Sequence, residues 1–327
     1  MKKLSFASVV LIVLLSVNFQ SCCKDCNNDG PDMPSAQEFR NIREKALDNL
    51  TQIFDFQAED GVVSFISEKG VTLTINGNCL TKNGNPVSGP VKVEFVELFD
   101  RSNMLTTNKP TTGKLPDGGL AMLVSGGEFY IQATQDGQPL ALTCSMHLDV
   151  PTALSGGDDP DMELFKGGMD DLENLVWEKN KQAEFGIREG QGGAATGNSY
   201  FAFFSTFGWT NVDRFYSDPR PKTTILAAVP EGYDVSNCSV YLSYDGEPNA
   251  LALLDTYDAQ TGLFSEHYGQ IPVGLACHVI FVSENNGQWS YAIKGTTIQA
   301  GGTITFGAND LHTTDEATLT QLISDLP

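Results

Sequence analysis

Apolar and polar residues alternate one by one along much of this chain. Val71, Leu73 and Ile75 alternate with Thr72, Thr74 and Asn76; Val91, Val93 and Phe95 with Lys92 and Glu94; Phe129 and Ile131 with Tyr130 and Gln132. A period of two predicts strands with one face buried. Asn83-Gly84 and Asp136-Gly137 fall between these runs, and both dipeptides tolerate the positive φ angles that a tight hairpin demands. The expected product is a β-sandwich over residues 57–151.

The chain reads as β again after residue 198, in the runs 200–209, 223–229, 239–244, 251–254, 278–282, 289–293 and 303–306. Asp245-Gly246 and Asn286-Gly287 sit between runs as turns. These predict a second sandwich over 198–327, closed by a short helix at 315–326 with Leu319, Leu322 and Ile323 on one face. Residues 152–197 break the pattern. Ser155-Gly156-Gly157-Asp158-Asp159-Pro160-Asp161 and the glycines of 190–197 are loop chemistry, so this stretch reads as a Gly/Asp-rich linker with Trp177 among its docked pieces. The fold class is therefore mainly β, two sandwiches in tandem.

Ahead of them the period changes to that of a helix. Phe39, Ile42, Ala46, Leu50 and Ile53 share one face of an amphipathic helix over 35–56, and Ser35 with Glu38 forms a capping box at its start. Earlier still, Lys2 and Lys3 precede an apolar run over 4–19, the layout of a secretory signal peptide. That run is short for a permanent membrane span, which needs about 20 apolar residues. Ser21-Cys22 resembles the lipobox of bacterial lipoproteins, in which the cysteine becomes the lipidated first residue; Phe19 and Gln20 depart from its usual aliphatic and small residues. The resemblance implies a signal peptide at 1–21, a lipidated tether at 22–34 with Cys22 as the anchor, and attachment to the outer membrane. Lys24-Asp25 is similar to the tags that send such proteins to the cell surface.

Charge narrows the partners. With 20 Lys and Arg against 41 Asp and Glu, the formal net charge is −21, which repels phosphate backbones and argues against nucleic acid. Setting Cys22 aside leaves Cys23, Cys26, Cys79, Cys144, Cys238 and Cys277, an even number suited to an oxidising compartment. Pairing inside each sandwich gives Cys79 with Cys144 and Cys238 with Cys277; buried free thiols are the alternative.

No sequence motif supplies catalytic chemistry. Nucleophile elbows, HExxH helices and phosphate loops are absent, and nothing calls for a cofactor or a metal. Asp158-Asp159-Pro160-Asp161 lacks the glycine and distal glutamate of a calcium loop and reads as a solvated acidic turn. His147, His267, His278 and His312 show no metal-ligand spacing and read as structural. The most site-like cluster is Trp209 with Asp213 and Arg214, where an aromatic face beside a charged pair suits a sugar or a peptide. The alternative is that Trp209 anchors the core while Asp213 pairs with Arg214 or a neighbouring turn.

One resemblance covers roughly residues 60–150. Glu68-Lys69-Gly70-Val71-Thr72-Leu73-Thr74-Ile75, Asn83-Gly84-Asn85-Pro86-Val87-Ser88-Gly89-Pro90-Val91-Lys92-Val93-Glu94-Phe95 and Ser125-Gly126-Gly127-Glu128-Phe129-Tyr130-Ile131 resemble a domain of uncharacterised Bacteroidota surface lipoproteins. That domain is similar to ZU5-type and carboxypeptidase-regulatory-type sandwiches. Gly208-Trp209-Thr210-Asn211-Val212-Asp213-Arg214-Phe215 extends the likeness. It implies a noncatalytic module that binds or displays a glycan or an envelope protein. A structural subunit of a surface assembly such as a fimbria is the alternative, and a glycan-active enzyme a further one.

Overall fold

A computed structural model describes residues 33–169, 174–190, 197–266 and 269–327. The residues read as a signal peptide, Cys22, Cys23, Cys26, most of the stretch read as a tether, and His267 lie outside these residues. Strand accounts for 49% of the structure and helix for 15%, so the chain is mainly β as its alternation requires. Residues 33–327 form one compact unit.

Helix α1 spans Ala36–Leu50 and opens on the expected capping box: the Glu38 amide donates to Ser35 Oγ at 3.2 Å, and the Ser35 amide to Glu38 Oε2 at 2.8 Å. It ends at Leu50, short of the expected 56, because Ile53 to Phe56 follow the other period. Phe54 and Phe56 turn toward the core while Ile53 and Asp55 turn outward, and the segment becomes strand β1, Gln52–Gln57. The first half continues with β2 (Val62–Ile66), β3 (Thr72–Asn76), β4 (Pro90–Leu98), helix α2 (Arg101–Thr106), β5 (Thr112–Lys114), β6 (Leu120–Gln135) and β7 (Met146–Pro151). Both expected hairpins are present, with Asn83 and Gly84 at φ 51° and 80°, and Asp136 and Gly137 at 52° and 71°.

The stretch read as a linker is not one. It supplies β8 (Glu163–Met169), β9 (Leu175–Lys179) and β10 (Glu184–Arg188), and the next strands, β11 (Ser199–Phe204) and β12 (Gly208–Phe215), also join the first half. One sheet runs β1-β4-β6-β12-β8-β9-β5 and its companion runs β10-β11-β7-β3-β2. They share a core of Leu73, Ile75, Phe95, Phe129, Ile131, Leu148, Ala202 and Val212, among others. Glycine and aspartate marked 152–197 as loop, yet Leu164, Phe165, Leu175 and Trp177 are buried. The apolar residues decide the pairing. Trp177 is docked as expected, donating through Nε1 to the Pro110 carbonyl at 3.0 Å.

The second half begins later than residue 198. It contains β13 (Leu226–Ala228), β14 (Cys238–Tyr244), β15 (Ala252–Leu253), β16 (Thr256–Asp258), β17 (Leu263–Ser265), β18 (Ala276–Asn285), β19 (Gln288–Thr297), β20 (Thr303–Thr305), β21 (His312–Thr314) and helix α3 (Glu316–Ser324). Its sheets run β15-β14-β18-β19-β21 and β16-β17-β13-β20, around a core that includes Val240, Leu242, Phe264, Val279 and Phe281. Asn286-Gly287 makes the tight hairpin between β18 and β19, whereas after Asp245-Gly246 the chain runs on to residue 252 before pairing back.

A third core joins the halves. Phe39, Ile42 and Ala46 of α1, Met104 and Leu105 of α2 and Leu319 and Ile323 of α3 pack with Val96 and Leu98 on one side and Tyr241, Ile280, Val282 and Trp289 on the other. Burying each of Phe39 and Ile42 contributes about 1.5–3 kcal/mol. Arg101, also buried, donates to the carbonyls of Ile323, Leu326 and Pro327 and ties α2 to the C-terminal helix.

Cys79 and Cys144 form the expected disulfide. Cys238 and Cys277 do not. In the β14–β18 ladder Cys238 lies opposite Ser283 and Cys277 opposite Tyr244, so the two thiols sit at opposite ends and are buried free cysteines. Burial pushes the Cys277 thiol up to about 12 and Cys238 higher still, which keeps both as inert thiols.

Candidate functional site: an aromatic groove beside the first helix

Trp209 stands on β12 opposite Tyr130 of β6, and Tyr130 stands opposite Val96 of β4. Facing residues in an antiparallel ladder share a side of the sheet. Three adjacent strands therefore carry one continuous apolar row, with the Tyr130 and Trp209 rings 5.4 Å apart and tilted by 45°. The end of α1 walls this row with Leu47, Asp48 and Thr51, and Ile53, Lys92 and Glu94 close the rim. The result is a groove of about 580 Å³. Its floor is the partly buried Tyr130 and Trp209 rings, and its edges carry hydroxyl, carboxylate and ammonium groups.

Polar groups at the rim are arranged rather than random. Lys92 Nζ pairs with Glu94 Oε1 at 2.9 Å. The Tyr130 hydroxyl titrates above its usual range, because of partial burial first and the Glu94 charge second, and so remains a donor. Asp48 is exposed at the last turn of α1. Trp209 is braced by Trp177, edge-on at 6.4 Å on the same face of the sheet across Gly167, and by the Lys109 ammonium 5.3 Å from its ring centre. Aromatic faces attract cations by about 0.5–2 kcal/mol, which holds the indole in place.

Asp213 and Arg214 do not join Trp209 in this groove. Adjacent strand residues point to opposite faces, so Asp213 cannot pair with Arg214 in the way the alternative reading expected. Arg214 Nε donates to Asp159 Oδ2 at 2.6 Å, which also gives the acidic turn a structural partner. Asp213 is fully buried, and neither carboxyl oxygen has a hydrogen-bond partner. Ser125, across the ladder, turns its hydroxyl to Asn211 Oδ1 at 2.9 Å; being close to Asp213, it only partly offsets the burial that raises that carboxyl well above its usual range. Glu128 is equally buried, and Asn211 Nδ2 donates to its Oε1 at 3.4 Å while Oε2 has no partner. Burial first and the Asp213 carboxyl second raise Glu128 well above its range, with Lys109 opposing. Neither carboxyl is exposed to solvent.

Tyr130, Val96 and Glu94 were missed as site residues. In the alternation they fill the outward positions of strands whose inward positions are Phe95, Phe129 and Ile131. The signal was present: Val96 and Leu98 continue an apolar run off phase from Val93 and Phe95, which marks a strand with apolar groups on both faces. Of the histidines, His147 Nε2 faces Asp149 Oδ2 at 3.1 Å and His278 Nδ1 faces Asp245 Oδ1 at 2.8 Å, both structural pairings. Among the described residues no cluster of three or more His, Cys, Asp and Glu side chains is placed to hold a metal ion, and no helix is long and apolar enough to cross a membrane. No protein-family model matches the chain, and no curated protein matches it either.

Proposed function

We propose that this chain is a noncatalytic, lipid-anchored envelope protein, held in the outer membrane through Cys22, that binds a glycan in the groove over Tyr130 and Trp209. The observation that carries this reading is the partly exposed pair Tyr130–Trp209, set beside the buried Val96 and beneath a polar rim. A sugar ring offers apolar C–H faces and equatorial hydroxyls. The tilted rings take the faces, and Asp48, Thr51, Lys92 and Glu94 take the hydroxyls. A net charge of −21 favours neutral oligosaccharides over anionic ones. In this reading the two layered halves are tandem sandwiches of the surface-lipoprotein kind that the sequence resembles, with α1 between them. The groove lies where the first of them meets that helix.

Glycan arrays probed with residues 33–327 test this. Selective binding is expected, weakened about tenfold or more by Trp209→Ala, the loss of roughly 1.4 kcal/mol of stacking. Asp48→Ala, an exposed change that leaves the packing intact, should weaken it less. Absence of selective binding, or binding indifferent to both variants in proteins of native circular dichroism, would sink the proposal. Hydrolysis of a bound glycan would instead favour the enzyme.

A further inference from the structure

Open sheet edges present unpaired backbone groups, and proteins ordinarily guard them with charge, proline or a bulge. Two outer strands of the first half's two large sheets are guarded in this way: β1 carries Asp55, and β10 carries Glu184 and Arg188. A third, β2, is not. It is the last strand of its sheet and, among the described residues, pairs on one side alone, with β3. Its sequence, Val62-Val63-Ser64-Phe65-Ile66, holds no charge, proline or glycine. The register runs without a bulge from Val62 opposite Asn76 to Ile66 opposite Thr72. Val63 and Phe65 pack inward, and Phe65 stacks on Phe54 of β1 at 4.8 Å. Val62 and Ile66 are left 67% and 71% exposed. The strand is thus regular, and its outer side presents Val62 and Ile66 about Ser64, whose hydroxyl pairs with Thr74 Oγ1 at 2.7 Å.

Charge decides what pairs with it. Were two copies to pair antiparallel about Ser64, the turn holding Asp60 before β2 of each copy would come to the end where the turn holding Glu68 follows β2 of the other, and both residues are exposed. Lys69, the nearest cation in sequence, is turned to Asp100 at 3.7 Å. Two like-charge encounters and a charge of −21 on each copy therefore oppose a second copy of this chain. A foreign strand with basic ends meets the opposite situation.

We infer that β2 is a strand-addition site: it accepts an extended segment of another envelope protein, apolar at alternate positions beside Val62 and Ile66 and carrying Lys or Arg at both ends. Backbone hydrogen bonds supply the affinity, and the acidic residues flanking β2 select the ends. The inference is independent of the groove, which lies on the other sheet.

The test is hydrogen exchange by mass spectrometry on the full chain in detergent, with the capped peptide Lys-Lys-Val-Thr-Val-Thr-Val-Lys-Lys as probe. Slower exchange confined to residues 62–66 is expected, with an affinity about tenfold or more above that of the same peptide ended in glutamates. Val62→Lys with Ile66→Lys, both at exposed positions, should abolish the protection, and Trp209→Ala should leave it unchanged. No protection of 62–66, or equal protection by both peptides, overturns the inference. So does protection that grows with protein concentration without peptide, which would identify a second copy as the occupant.

Discussion

Asp213 and Glu128 are carboxylic acids held where water does not reach them, and between them three oxygens lack a hydrogen-bond partner. Both titrate above the ordinary carboxylate range in the folded chain. Between that ordinary range and the raised values, the folded protein holds protons that the unfolded protein has released. Stability is therefore full below the ordinary range, falls as pH rises through the window, and levels off once both acids have ionised. Asp213→Asn removes one ionisable group with little change of shape. Urea unfolding from pH about 4 to about 8 should show a flatter profile for this variant and a gain of about 1–3 kcal/mol at the alkaline end, the cost of an unpaired buried charge. An unchanged slope would mean that water or a counter-ion already satisfies the carboxyl. Sequence gave no sign of this burial, because Asp213 occupies the position that alternation assigns to solvent. Only the layer of helices and the second half behind that face makes it interior. Trp209 was recognisable as aromatic surface for the same reason that its surroundings were not: its partners Tyr130, Val96 and Asp48 come from three other elements.

Among the elements, β6 is the one whose regularity is most disturbed. It pairs Glu128 with Asn211 and Ser125 with Asp213, so three steps along β6 match two along β12. Gly126 and Gly127 absorb the extra residue, Gly127 at φ +135°. A Cβ there would lie 2.7 Å from the rings of both Phe129 and Phe99. Gly127→Ala should therefore cost about 1–3 kcal/mol, through backbone strain and overpacking together, as a fall in the urea midpoint at unchanged slope. A variant as stable as the parent would show that the bulge relaxes freely. This bulge also explains why only the second part of β6 was legible. Alternation is clear from Phe129 to Gln132, but the extra residue inverts the phase before it, so Met122 and Val124 face the same way as Phe129 and Ile131. Helix α1 was legible at its capping box and wrong at its end, since Ile53 fits both a helical face and a strand.

At the scale of the whole molecule, the mainly β class followed from the alternation, while the part played by residues 152–197 did not. Composition marked 152–197 as a break because glycine and aspartate dominate it, yet its few apolar residues place strands in both sheets of the first half. Strands β11 and β12 then complete those sheets from beyond residue 198. A fragment ending at residue 198 should consequently fail to fold, giving weak strand circular dichroism and rapid proteolysis, whereas one independent sandwich over 57–151 would survive. Because β12 sits between β6 and β8, the first sheet cannot close until residue 215 is available. During synthesis the long strand β6 waits with one side unpaired while about eighty further residues are made, and contacts of such separation form slowly. Through that interval the nascent chain presents an unpaired strand side, so its yield should respond to the supply of holding chaperones more than to the stability of the finished fold.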